Sequence, residues 1–194
     1  MGRPPKILPE LVLQAARELF SRDGLAASTK EIAAKSGLSE AALFKRYPTK
    51  SKLFLAAMLP PEIDMDGMSA RAARAPDGRE ALLSYALDIL AYFRKAMPVM
   101  LPAMMSPTIG LEKLVAHTNS GSLPQMTEAF AEFLQSQKQF GKNCCDTPLA
   151  VAGLLISSMH SLALFEIMGV HGGEFPDIAI VNMIDVIWRG IAPP

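Results

Sequence analysis

The sequence predicts an all-α protein, and three observations carry the prediction. Apolar residues recur at i, i+3 or i+4 and i+7 through most of the 194 residues, the spacing that gathers them on one face of a helix. Serine, threonine or proline opens these segments and glycine or proline closes them, as helix boundaries require. No stretch alternates apolar and polar residues convincingly over a strand's length, and no internal repeat is visible.

Leu8, Leu11, Val12, Ala15, Ala16, Leu19 and Phe20 line one face of the first predicted helix. Pro9 suits its opening turn, where a missing N–H costs nothing, and Gly24 is its stop. The second helix starts at Ser28, because Ser28 and Glu31 stand at capping-box spacing and can each satisfy the other's backbone amide. It buries Ile32 and Ala33 and ends at Gly37. Leu38 alone separates that glycine from Ser39, the cap of a short third helix through Tyr47 that Pro48 terminates. Thr49 caps a fourth helix over residues 50–59, stopped by Pro60 and Pro61.

Residues 60–79 mix Pro, Gly, Asp and Met with weak periodicity and read as a linker or a short helix. A long helix over 79–97 carries Leu82, Tyr85, Ala86, Ile89, Leu90 and Phe93. Two short segments, 100–105 and 110–118, follow. Residues 124–140 are amphipathic through Met126, Ala129, Phe130, Phe133, Leu134 and Phe140. Residues 148–168, with Asp146 or Thr147 as cap, and 176–191 are apolar around most of their circumference.

Half the residues are apolar and a fifth are charged, an ordinary globular balance. No apolar run approaches the roughly 18–20 residues of a bilayer span, so no membrane partner is expected. No hydrophobic core follows the basic residues 1–6, which argues against export and for the cytoplasm. The two cysteines, Cys144 and Cys145, are adjacent and supply no disulfide framework. They read as inert loop residues or as a thiol or soft-metal sensor. The net charge is zero but unevenly spread: residues 1–53 hold ten Lys or Arg against five acids, the remainder nine against fourteen. A basic first quarter points to a polyanionic partner.

Two short helices joined by a glycine turn over residues 28–47 form a candidate helix-turn-helix, whose second helix can enter a major groove while the first crosses the backbone. An ordinary helical hairpin has the same spacing. The whole run is more specific. ARELFSRDG followed by STKEIAAKSGLSEAALFKRYPTKSKLF resembles the N-terminal domain of the TetR family of bacterial transcriptional regulators, through Ile32, Ala33, Gly37, Ser39, Leu43, Tyr47, Pro48, Lys50 and Leu53. The resemblance implies a DNA-binding domain over 1–57 and an effector-binding and dimerisation domain over 58–194.

It further implies that Ile32, Ala33, Leu38, Leu43 and Tyr47 lock the two helices together. Ser28 and Lys30 would meet phosphate, as would Arg46 and Lys50. Ser39 opens the recognition helix, where Glu40, Ala41, Ala42, Phe44 and Lys45 take groove-facing positions. Lysine and arginine on phosphate supply affinity that weakens with salt, and small residues such as Ala41 and Ala42 let a helix approach base edges. Glu40 reads either as an acceptor for a cytosine amino group or as a solvated first-turn acid. Lys45 suits guanine or phosphate equally. The family usually has tyrosine at Phe44, histidine at Arg46 and Gly-Thr at Ala41 and Ala42, so the operator sequence stays open. The leading residues 2–6, with Arg3, resemble a minor-groove arm or a solvated terminus.

Such a domain acts as a dimer, because two recognition helices must span successive major grooves. The resemblance assigns the dimer interface to the last two long helices, whose apolar character a monomer's single buried face does not need. The middle of the chain would enclose an effector pocket. It is rich in methionine, which suits an adaptable apolar cavity or plain core. Tyr85, Tyr92, Met100, Met104, His117, Phe130 and Glu166 are the candidate ligand contacts, polar anchors among apolar walls. His117, His160 and His171 have no metal-ligand spacing, and no phosphate loop, nucleophile elbow or carboxylate pair is present. No catalytic residue, metal or cofactor is expected. The expected function is that of a ligand-responsive repressor; an activator, a ligand-independent regulator and a non-specific architectural DNA binder are the alternatives.

Overall fold

A computed structural model describes residues 9–104, 123–136, 146–170 and 172–191. Every regular element among these residues is helical: α1 (Pro9–Asp23), a 3-10 turn (Gly24–Ala26), α2 (Thr29–Lys35), α3 (Glu40–Arg46), α4 (Lys50–Ala57), α5 (Met65–Ala72), α6 (Gly78–Met104), α7 (Leu123–Ser136), α8 (Pro148–Ile167) and α9 (Asp177–Ile191). The all-α expectation therefore holds. Contacts divide the chain into two units, one of Met1–Pro60 with Pro98–Asn119 and one of Pro61–Met97 with Ser120–Pro194.

In the first unit α1 buries Val12, Ala15, Ala16, Leu19 and Phe20, while Leu11 is left half exposed. Gly24 adopts φ 56°, a left-handed conformation open to glycine at no steric cost. The core joins that face of α1 to Ile32 and Ala33 of α2, Leu43 of α3, and Leu53, Phe54, Ala57 and Met58 at the end of the four-helix run. Phe20 and Phe54 meet edge to face, ring centroids 4.9 Å apart, the arrangement their quadrupoles prefer. Arg17 donates to the Ala57 carbonyl at 2.9 Å, tying α1 to the end of α4. Val99 and Met100, from the end of α6, pack against this same core.

The second unit is built around α7 and α8, the most extensive helix pairing described. Tyr85 of α6 stacks on Phe130 of α7 at 3.9 Å and lies 5.3 Å from Phe133. Arg79 near the start of α6 holds Asp185 of α9 at 2.6 Å, and Arg94, about four turns further on, holds Glu166 of α8.

One open alternative is resolved, and two expectations need correcting. Residues 60–79 contain a helix, α5, capped by Asp64, whose Oδ1 accepts from the Gly67 amide at 2.9 Å; only Met68 and Ala72 are buried, so its periodicity is faint. The break expected between 97 and 100 is absent, because α6 runs through Pro98 and Pro102. A proline removes one helical hydrogen bond, and packing of Val99 and Met100 supports the helix beyond that point. Finally, α8 is long and apolar enough to cross a bilayer: 20 residues with a mean hydropathy of 1.7 over its most apolar window. Length and composition alone do not separate a span from a core helix. Here Val151, Ala152, Leu155, Ile156, Met159, Leu162 and Ala163 are buried within the protein.

Candidate nucleic-acid interface

The turn between α2 and α3 is made by backbone hydrogen bonds that only a glycine-centred reversal allows. Gly37 sits at φ 73°. Its amide bonds to the Ala34 carbonyl at 3.1 Å and the Leu38 amide to that of Ala33 at 2.8 Å, satisfying carbonyls that the helix end would leave orphaned. Ser36 is buried and donates its hydroxyl to the Ile32 and Ala33 carbonyls. Leu38 then folds back onto the core.

Three hydroxyl caps start the following helices in turn. Ser28 Oγ accepts from the Glu31 amide at 3.3 Å, Ser39 Oγ from the Ala42 amide at 3.2 Å, and Thr49 Oγ1 from the Lys52 amide at 3.1 Å. Each removes one unpaired amide from a helix start. The Glu31 carboxylate, expected to complete a capping box, lies 3.6 Å from Arg22.

Leu43 is the one residue of α3 buried in full. Ala42, Phe44 and Tyr47 are half-buried, and Glu40, Ala41, Lys45 and Arg46 are exposed, as are Ser28 and Ser39. Lys30 is exposed as well, and Lys50, which opens α4, is half-buried. The polar candidates and Ala41 thus keep access to solvent along α2, α3 and the start of α4. A contact that sequence spacing does not reveal joins two of these helices: Thr29 Oγ1 donates to Glu40 Oε1 at 2.5 Å.

Positive charge within the first unit is sorted by partner. Lys35 pairs with Glu18 at 2.5 Å, Arg22 with Asp23 at 2.7 Å, and Arg17 lies 3.8 Å from Glu10. Lys30, Lys45, Lys50 and Lys52 form no ion pair among the described residues. The paired cations lie on α1 or, like Lys35 of α2, bond to an acid of α1, whereas Lys30, Lys45, Lys50 and Lys52 stand without an ion pair among the described residues, open to phosphate.

Residues 12–57 match the family model described as bacterial regulatory proteins, tetR family. The N-terminal segment is similar to the domain which that model describes. Beyond it, solved structures share the fold over nearly the whole chain. A TetR-like transcriptional regulator from Rhodococcus sp. RHA1 is 24% identical, with 97% of this chain and 98% of that one covered at a TM-score of 0.64. PfmR, a TetR family transcriptional regulator from Thermus thermophilus, is 20% identical, covering 92% and 97% at 0.57. NalD, the secondary repressor of the MexAB-OprM multidrug efflux pump in Pseudomonas aeruginosa, is 16% identical, covering 94% and 96% at 0.58. No curated protein matches in sequence. The chain thus joins a segment that matches the tetR-family model to a fold shared with TetR-like structures.

Of the residues expected to meet an effector, those described belong to both units. Met100 packs on the core of the first unit. Tyr85 and Phe130 are stacked and fully buried. The Tyr85 hydroxyl has no hydrogen-bond partner among the described residues, and burial pushes its pKa up to about 12. Tyr92 is buried too, which raises its pKa. Glu166 lines a cavity of about 260 Å³ with Arg94, Ala163, Ile167, Gly173 and Glu174. A groove of about 440 Å³ between α5 and α7 is lined by Met65, Asp66, Ser69, Glu132 and Phe133 among others. The Met104 side chain, His117, Arg3, Cys144 and Cys145 lie outside the described residues.

Proposed function

We propose that this chain is a homodimeric, one-component transcriptional repressor that leaves its operator when a small apolar molecule binds its second domain. Residues 1–57 read DNA and residues 58–194 sense the effector and dimerise. The observation that carries the reading is the charge sorting around α2, α3 and α4, where Lys30, Lys45 and Lys50 stand without acidic partners among the described residues. Ser28, Lys30, Arg46 and Lys50 grip phosphate. Glu40, Ala41, Ala42, Phe44 and Lys45, behind the Ser39 cap, face the bases. The protein works in the cytoplasm on duplex DNA, without catalysis or cofactor.

Dimerisation is supported by apolar side chains left in solvent on the last two helices. Leu154, Phe165 and Met168 of the α8 segment and Ile178 and Val186 of α9 have exposures from 39% to 70%. A monomer gains nothing from such a surface, whereas a self-complementary pair buries it. An apolar effector is supported by the methionines of the central segment. Release then follows from a shift between two states that differ in affinity for DNA and effector.

The test is fluorescence anisotropy with DNA from the gene's own upstream region, comparing wild type with Lys45→Ala and Arg46→Ala. Each substitution is expected to weaken binding roughly tenfold, and each lost phosphate contact to lower the salt slope by about one. A wild type without sequence preference, together with two silent substitutions, would overturn the DNA-binding reading. Mass spectrometry of small molecules that co-purify with the protein addresses the second half. The released compound is expected to lower operator affinity; unchanged affinity would remove the effector from the reading.

A further inference from the structure

We infer that Thr29 is a positioning residue: it holds the Glu40 carboxylate as an acceptor for the exocyclic amino group of a cytosine in the major groove. This rests on the DNA-binding reading above and adds the base that one side chain reads. Sequence alone leaves two accounts of Glu40, a base contact and a solvated acid that favours the positive end of α3. The contact with Thr29 separates them. A first-turn acid needs no partner to interact with the helix dipole, and Glu40 is exposed, so burial does not demand one either. Yet its Oε1 accepts the Thr29 hydroxyl at 2.5 Å, across the turn and from another helix. That length falls in the range of charge-assisted O–H···O⁻ bonds.

The bond has two consequences. It fixes one oxygen of a side chain that would otherwise sample many rotamers, so less freedom is lost when DNA arrives. It also leaves Oε2 with its lone pairs to offer. A carboxylate only accepts hydrogen bonds, and among major-groove edges cytosine presents an amino donor without an acceptor of its own. Adenine sets N7 beside its amino group, guanine offers O6 and N7, and thymine offers O4 and a methyl. A fixed carboxylate therefore selects cytosine partly by repelling the other three. Lys30 and Lys45, both solvent-accessible and without ion pairs among the described residues, offset its repulsion of the backbone phosphates. Ala41, the exposed neighbour of Glu40, adds no bulk to obstruct the approach.

The experiment is selection of binding sites from a random duplex library by the purified full-length chain at fixed salt, using wild type, Thr29→Val, Thr29→Ser, Glu40→Gln and Glu40→Ala. Helical melting curves establish that each variant folds. Wild type is expected to select cytosine at one position per half-site, with a roughly tenfold penalty for replacing it. Thr29→Val, Glu40→Gln and Glu40→Ala are expected to lose that preference while other positions and the salt slope stay as they were. Thr29→Ser restores it, because the hydroxyl returns. Two results overturn the inference: Glu40→Ala keeps the wild-type preferences, or Thr29→Val matches wild type while Glu40→Ala does not. A wild type that enriches no sequence instead removes the DNA-binding reading on which the inference stands.

Discussion

Glu166 accepts three hydrogen bonds: two from Arg94, at 2.9 and 2.7 Å, and one from the Phe175 amide at 2.7 Å. Its side chain is only 6% exposed, against 28% for Arg94. The Arg94 guanidinium, aided by the Phe175 amide, lowers the Glu166 pKa from the ordinary 4.5. Because the folded value lies below the unfolded one, the pair's contribution is complete above about pH 5 and disappears as pH falls through the folded value. Glu166→Gln is expected to cost about 2 kcal/mol at neutral pH, since a charge-assisted pair with a buried carboxylate becomes a neutral one while Arg94 keeps only the longer, exposed contact to Glu174 at 3.9 Å. Thermal melting should show a drop of roughly 4–8 °C. The gap between wild type and variant should narrow in melts run at pH values falling below the ordinary 4.5, through the folded carboxyl's own titration, and a gap that stays constant would show that the carboxylate's charge is irrelevant.

Among the elements, α3 depends most on its surroundings. Seven residues make two turns, too few to persist alone, so the Ser39 cap and the burial of Leu43 maintain the helix. Leu43→Ala leaves a cavity at a site with no solvent exposure. It should cost about 3 kcal/mol in denaturant unfolding and lower DNA affinity, although Leu43 makes no DNA contact. The boundaries of α1 to α4 were legible because each is marked locally, by a hydroxyl cap or a glycine stop. The start of α5 was marked only by Asp64, in a segment with two buried residues. The continuity of α6 was hidden because its prolines point to a break, while the contacts that sustain the helix come from residues far away in sequence. The same distinction holds at the candidate interface. Its residue types and spacing could be read directly, but the Thr29–Glu40 bond joins residues 11 apart and exists only once α2 and α3 have packed.

For the whole molecule, the proposed dimer is the reading with the most at stake. Val186 is 70% exposed and Leu154 57%, each on a helix rich in apolar residues. Val186→Asp and Leu154→Asp should leave the fold of one chain intact, because neither side chain contributes to its core. In a partner interface each would bury a charge without a counter-ion, at a cost of several kcal/mol. Sedimentation velocity should find wild type as a dimer and both variants as monomers at micromolar concentration. A wild type that sediments as a monomer would remove the interface from the functional reading. The exposed face of α8 also accounts for its span-like hydropathy: one side is buried within the chain, and the other carries apolar side chains that remain in solvent.

The single buried residue of α3 has a consequence for how such a protein diverges. Leu43 alone ties that helix fully to the core, so its exposed positions can be exchanged with little effect on whether the domain folds. Selection on folding and selection on the DNA word then act on different side chains. A lineage can acquire a new genomic address through substitutions at positions 40, 41 and 45 without loosening its scaffold.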